Sequence, residues 1–329
     1  MSYSAINLNA CLPFFRLVDL QLKGMQTNKD RTQPRAIAFA ILAAALYALS
    51  TPFSKLLLGS IKPSMMAALL YLGAGLGMTL VNLLARRSSF LISEQPLDLK
   101  QWPSILGMIL LDIAAPLLLM FGLSKTTAEN ASLLNNFEIV ATAFIAFSFF
   151  REAISKRLWL AIALVTAACV LLSLEDVNNS LSFSIGSIFI MLASLCWGLE
   201  NNLTRKLSGN NPLQIAVVKG FGSGLGALIV AISVGELSGT LVTILAALLL
   251  GFVAFGLSIF FYVRAQRDLG AAKTSAFYST APFIGVVLAF LLFRDNPGWQ
   301  FYVGLVLMMI GTYLSATAPF KNGDVQSLD

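Results

Sequence analysis

The 329-residue sequence contains no histidine, only three cysteines, and charged residues at just 12% of positions. Without histidine, the commonest metal ligand is missing, and most metal and haem sites are excluded. Cys11, Cys169 and Cys196 are odd in number, scattered, and two of them lie in apolar runs. They support neither a disulfide framework nor a zinc cluster, and packing accounts for them. No cofactor is implied. Soluble domains carry about 25% charged residues. A chain that is 57% hydrophobic with a mean hydropathy of +0.80 is instead expected to be an integral membrane protein, with no sizeable soluble domain.

The apolar runs, such as Ala36–Leu57 and Phe183–Leu203, are continuous and about 20 residues long, the length of a spanning helix rather than of the alternating strands of a barrel. Hydropathy marks ten windows, near 36–57, 64–84, 103–123, 130–149, 158–174, 183–203, 213–233, 240–263, 274–293 and 299–318. The expected fold class is an all-α membrane bundle of ten transmembrane helices.

The formal charge of +6 raises the question of nucleic acid, but in a membrane protein basic residues first obey the positive-inside rule. With a cytoplasmic N-terminus, the inner segments hold most of the 22 lysines and arginines, including Arg31, Arg35, Arg86, Arg87, Arg151, Arg205, Arg264 and Lys321. The outer loops hold Lys55, Lys62, Lys125 and Arg294, and Lys219 lies within a span. Both termini are therefore expected in the cytoplasm, and the basic balance is read as topology, not as nucleic-acid binding.

Residues 1–35 read as a cytoplasmic tail rather than a cleaved signal, because Arg16 and Asp19 interrupt the apolar stretch and no small-residue cleavage site follows. Met25 opens a polar, basic run into the first span and offers a second start, so no function is rested on residues 1–24. Residues 319–329 form the C-terminal tail.

The two halves of the sequence resemble each other. One offset places Tyr47 on Trp197 and Lys55 on Arg205; a near-identical one places Pro63 on Pro212 and the GAGLG run at 73–77 on GSGLG at 222–226. A slightly shorter offset sets Phe150-Arg151-Glu152 on Phe293-Arg294-Asp295 and Ala131-Ser132 on Thr274-Ser275. The connection at 85–102 is longer than its counterpart at 234–239, which absorbs the difference. The two halves, 36–174 and 183–318, are thus read as five-helix repeats that enter the membrane from opposite sides. Inverted repeats of this kind characterise secondary transporters.

On these residues, the sequence over about 36–318 resembles the drug/metabolite transporter superfamily, EamA-type branch. In that family each half carries an aromatic-to-cation stretch in its first span, here LYALSTPFSK and CWGLENNLTRK. Each half also has a Gly-Glu-x-Leu-like element closing its fourth span. The corresponding elements here are Phe150-Arg151-Glu152-Ala153-Ile154 and Phe293-Arg294-Asp295, with Arg where the family has Gly. The resemblance implies ten helices around a central cavity and the transport, by analogy the export, of small metabolites such as amino acids.

Several residues are candidates for a site. The glycine rows lack the spacing of a nucleotide loop and sit inside apolar helices, so Gly73 and Gly77, and Gly222 and Gly226, are read as GxxxG packing faces. Ionisable groups inside spans cost about 2.5–3.5 kcal/mol each on insertion scales, which makes Asp112, Glu138, Glu200 and Lys219 candidates. Asp112 and Glu138 are expected near the midplane. Asn135 and Asn136 accompany Glu138, and Tyr278 and Ser279 occupy the equivalent stretch of the other half, where Pro282 is expected to free a backbone carbonyl. Glu200 and Lys219 are expected as a second pair, in the cytoplasmic third, serving as a structural ion pair or a coupling site. Tyr47, Tyr71, Trp197, Tyr262 and Tyr278 are candidates to line the cavity, whereas Trp102, Trp159 and Trp299 read as interface anchors.

The function expected is a carrier in the cytoplasmic membrane, working by alternating access on a small polar or amphipathic metabolite. A buried carboxyl able to exchange a proton suits proton coupling. The competing classes are a channel or sensor and, more remotely, a membrane-embedded enzyme, for which no nucleophile–base pairing or phosphate loop is visible. The expected partners are the small-molecule substrate and the lipid bilayer, and a monomer is favoured over an assembly.

Overall fold

Runs of Ala, Leu and Met form helices here because these side chains lose little freedom in a helix, and because in lipid every backbone polar group must be paired within its own segment. A computed structural model describes residues 29–85, 95–150, 155–177, 180–269, 274, 277–295 and 297–317. The first half contributes α1 (Lys29–Tyr47), α2 (Ser50–Leu57), α3 (Pro63–Ala85), α4 (Trp102–Ser124), α5 (Ala128–Leu134), α6 (Phe137–Phe150) and α7 (Lys156–Leu172). The second half contributes α8 (Ile185–Leu207), α9 (Pro212–Ser233), α10 (Leu241–Leu250), α11 (Ser258–Leu269), α12 (Ala281–Phe293) and α13 (Trp299–Ala316). A π-helical turn, Gly251–Leu257, carries α10 into α11. A hairpin of β1 (Leu174–Val177) and antiparallel β2 (Ser180–Phe183) joins α7 to α8.

Among the described residues, five helical stretches are long and apolar enough to cross a membrane: Pro34–Leu57, Pro63–Leu84, Trp102–Ser124, Pro212–Ser233 and Leu241–Leu269. Ala281–Phe293 and Trp299–Ser315 are apolar but shorter. The outer surface is apolar as well: Leu241, Leu291 and Ile229 are 73%, 69% and 68% exposed, which water would penalise and lipid would not. Trp102, Trp159 and Trp299 are exposed too.

The window at 130–149 is not one helix. Asn135 ends α5, and the next bonds close three residues apart, from Glu138 N–H to the Asn135 carbonyl at 3.1 Å and from Ile139 N–H to the Asn136 carbonyl at 3.0 Å. Two consecutive asparagines, whose amides compete with backbone partners, mark this break. The window at 274–293 is likewise broken: residues 277–278 are helical, residues 279–280 form a turn, and α12 follows. Pro282 sits in the first turn of α12, where its missing N–H costs nothing, so the expectation that it frees a carbonyl inside a helix is corrected. Most of the Phe150–Ile154 element, Ser275, residues 1–28 and the C-terminal tail lie outside the described residues, while Lys29–Arg35, expected in the N-terminal tail, form the start of α1.

Helices pair across the two halves. α9 packs on α3, α4 on α8, α7 on α13, α1 on α11, and α5 on α12. Gly75 and Gly220 make the α3–α9 crossing possible: a Cβ on Gly220 would collide with the backbone of Gly75, and one on Gly75 would lie 3.0 Å from the Phe221 nitrogen. The flanking glycines face other neighbours. Gly73 and Gly77 meet Leu248 and Phe252, while Gly222 and Gly226 meet Ile109 and Ile113.

Hydrogen bonds also tie the connections together in two groups. Lys62 N–H donates to Ser238 Oγ at 2.7 Å and Ser64 N–H to Glu236 Oε2 at 2.8 Å, which joins the α2–α3 connection to that between α9 and α10. Asn211 N–H donates to the Gln95 carbonyl at 2.8 Å and Leu97 N–H to Gln214 Oε1 at 2.9 Å, which joins the segment before α4 to the start of α9.

Candidate functional site

Three intramembrane charges meet inside the bundle. Lys219, on α9 and 5% exposed, places Nζ 2.8 Å from Glu200 Oε1 on α8 and 3.1 Å from Asp112 Oδ2 on α4. The Thr204 hydroxyl donates to the same Glu200 oxygen, and the Tyr71 hydroxyl on α3 donates to Asp112 Oδ1 at 2.9 Å. One ammonium thus satisfies two carboxylates that would each be costly alone in lipid. The expected Glu200–Lys219 pair is present. Asp112, expected at a different depth, belongs to the same cluster. Sequence depth is counted at the Cα, and the four-carbon stem of lysine reaches past a helical turn of 5.4 Å.

Glu138 lies in the first turn of α6, just after the Asn135–Asn136 break. Its Oε1 accepts a hydrogen bond from Asn201 Nδ2 at 2.6 Å, which links α6 to α8 next to Glu200. Among the described residues, no cation is ion-paired with Glu138. The side chain is half-buried because it borders open space.

That space consists of two adjoining cavities. The larger, of about 60 Å³, is bordered by the charged cluster on one side and by Tyr47, Trp197, Phe255, Tyr262 and Tyr278 on the other. The smaller is bordered by Asn135, Asn136, Ser279 and Pro282. Tyr47, Glu138 and Tyr278 belong to both walls. The aromatic rings support one another: the Tyr47 ring lies 5.4 Å from Tyr278, 5.7 Å from Phe255 and 6.2 Å from Trp197, and Tyr262 lies 4.9 Å from Tyr278. These separations suit offset or edge-to-face aromatic contact. A volume of 60 Å³ admits a few waters and no metabolite, so this conformation is too narrow at its cavity to hold one.

The structure therefore brings the residues singled out in the sequence to one place. Asn135 and Asn136 are buried, and Asn135 Oδ1 and both side-chain polar atoms of Asn136 have no hydrogen-bond partner among the described residues. Sequence reasoning missed the π-turn. It turns Phe255 toward Tyr47 and Tyr71 and sets Ser258 beside Tyr278, with the serine hydroxyl donating to the Ala43 carbonyl at 2.9 Å. Its only trace in the sequence is Gly251 and Gly256 within an apolar run. The charges are also one-sided: at the offsets of the sequence self-comparison, Asp112, Glu200 and Lys219 align with Phe255, Ser50 and Leu70.

The model of the EamA-like transporter family matches residues 34–174 and 184–317. A protein of Methanothermobacter thermautotrophicus, named an uncharacterized transporter, is 26% identical over 287 residues, 83% of this chain and 84% of that protein. The uncharacterized transporter YyaM of Bacillus subtilis is 24% identical over 205 residues, 59% of this chain and 66% of that protein. One crystal structure shares the fold with a TM-score of 0.63 at 16% identity, covering 85% of this chain and 95% of the solved one.

Proposed function

The chain belongs to the EamA-like transporter family and is a multi-pass membrane protein, and from that premise we propose that it is a secondary carrier exporting a small polar or amphipathic metabolite across the cytoplasmic membrane. The observation that carries this reading is the cavity itself. It holds buried charges and aromatic rings from both halves of the chain, and secondary carriers bind substrate between their two repeats.

In this reading ten spans form two inverted five-helix repeats with both termini in the cytoplasm. The helix pairing supports it. Exchanging each span for its counterpart turns the α4–α8 contact into the α11–α1 contact, and leaves α3–α9, α5–α12 and α7–α13 unchanged. The sorting of connections supports it too, since the α2–α3 and α9–α10 connections, both assigned outside, bond to each other. Alternating access is then a rocking of the halves that opens the narrow cavity to one face at a time. Lys219 and its two carboxylates form the coupling element: when the cavity opens, one carboxylate releases the ammonium and takes a proton in its place.

The test loads proteoliposomes with a mixture of cellular metabolites and follows, by mass spectrometry, which of them leave. A saturable loss of particular metabolites, accelerated by the same compound on the other side, is the expected result. Loss no faster than from protein-free vesicles defeats the carrier reading, and loss without trans-acceleration points to a channel.

A further inference from the structure

The smaller cavity narrows the substrate class. Glu138 faces it with no ion-paired cation among the described residues, and a lone carboxylate in a low-dielectric interior requires a compensating positive charge or a proton. Beside it stand Asn135 Oδ1 and Asn136, the latter 2% exposed with both amide atoms unpartnered among the described residues. A carboxylate and two amide oxygens supply three acceptors on one small wall, the complement of a primary ammonium with its three N–H donors. The wall shared with the larger cavity adds Tyr47 and Tyr278, whose faces attract a cation and whose bodies accommodate apolar carbon. For an anionic group this wall offers the neutral Asn136 Nδ2 donor and no cation. No lysine or arginine lines the smaller cavity, and Lys219 in the larger one already serves two carboxylates.

We propose that the substrate is an amphipathic primary amine, with its ammonium held by Glu138, Asn135 and Asn136 and its apolar body against Tyr47 and Tyr278. This rests on the carrier reading above and makes it specific: an amine in preference to the corresponding amino acid, and a primary ammonium in preference to a quaternary one.

Thermal unfolding of the purified full-length protein in detergent tests the proposal with three probes that share one aromatic body: phenethylamine, phenylalanine and phenethyltrimethylammonium. A ligand of the native state raises the unfolding midpoint by mass action. Phenethylamine is expected to stabilise the wild-type protein by several degrees at saturation, and the other two to give little or no shift. Glu138→Gln, isosteric and uncharged, is expected to weaken phenethylamine binding by about ten- to a hundredfold, the loss of one charge-assisted hydrogen bond. Should that variant unfold on purification, Asn136→Ala provides the same comparison with a smaller loss. A phenylalanine shift equal to or larger than that of the amine, equal binding of the quaternary analogue, or undiminished binding in the variant overturns the assignment. So does the absence of any shift with phenethylamine. None of these outcomes touches the carrier reading, which stands or falls on metabolite release from proteoliposomes.

Discussion

Lys219 Nζ lies 2.8 Å from Glu200 Oε1, but Glu200 is only one of its two anionic partners. This asymmetry ranks the variants. Glu200→Gln leaves Lys219 paired with Asp112, and Asp112→Asn leaves it paired with Glu200, whereas Lys219→Met strands two buried carboxylates. Breaking a buried pair costs about 3–5 kcal/mol. Lys219→Met should therefore lower the yield and thermal stability of folded protein most, with each carboxylate variant milder. The double variant Glu200→Gln/Lys219→Met still strands Asp112, so restoring stability should require Asp112→Asn as a third change. A triple variant that folds yet no longer concentrates substrate against a gradient would separate coupling from structure; full accumulation in it would reduce the cluster to a structural device.

The α3–α9 crossing leaves no room for a side chain at Gly220, where a Cβ would enter the Gly75 backbone. Gly220→Val should therefore destabilise by at least about 1–3 kcal/mol, the usual cost of overpacking. Gly209, with nothing within 4 Å of its would-be Cβ, serves as the control, and Gly209→Ala should leave the unfolding temperature within error of wild type. Equal midpoints for the two variants would contradict the close approach of α3 and α9.

Lys55 lies in the last turn of α2 and donates through Nζ to the Leu123 carbonyl at 2.7 Å and the Thr126 carbonyl at 2.5 Å, which satisfies groups left open where α4 stops. Lys55→Met keeps the length of the stem and removes the donor. It should cost about 1–3 kcal/mol, the penalty for leaving half-buried carbonyls unsatisfied. Lys125→Met, on the same connection but without a hydrogen bond from its ammonium among the described residues, should have no measurable effect on thermal unfolding.

Much of this site was legible in the sequence, because charge in an apolar run is conspicuous and its position along a helix fixes its depth. The pairing of Glu200 with Lys219 followed from that alone. The inclusion of Asp112 did not, since it depends on helix rotation and on lysine reach, neither of which hydropathy encodes. Asn135 and Asn136 were visible as a polar patch. That they end one helix and precede another was not, because the flanking residues, Leu133, Leu134, Phe137 and Ile139, read as uninterrupted helix. The π-turn at Gly251–Leu257 was hidden for a similar reason: it inserts no breaker and only rotates the residues that follow.

Arg294 explains a departure from the family pattern and offers the sharpest test of the backbone. It caps α12 at φ +54° and ψ +31°, the left-handed region, and is the only non-glycine residue with positive φ among the described residues. Its N–H donates to the Phe290 carbonyl at 3.1 Å, closing the last turn as glycine does at many helix ends. The element it occupies resembles one in which the family carries glycine, and the backbone supplies the reason, since a residue with a Cβ costs about 1–2 kcal/mol in this conformation. The Arg294 side chain is exposed and makes no hydrogen bond or ion pair within the described structure that glycine would forfeit. Glycine in turn has more freedom to lose from the unfolded chain, which offsets part of the gain. Arg294→Gly should therefore stabilise the protein by about 0.5–1 kcal/mol, read as a higher unfolding midpoint in detergent, and Arg294→Val, β-branched and poorly suited to positive φ, should lower it. A fall in the midpoint for the glycine variant would mean that the arginine side chain makes a contact worth more than the strain it imposes.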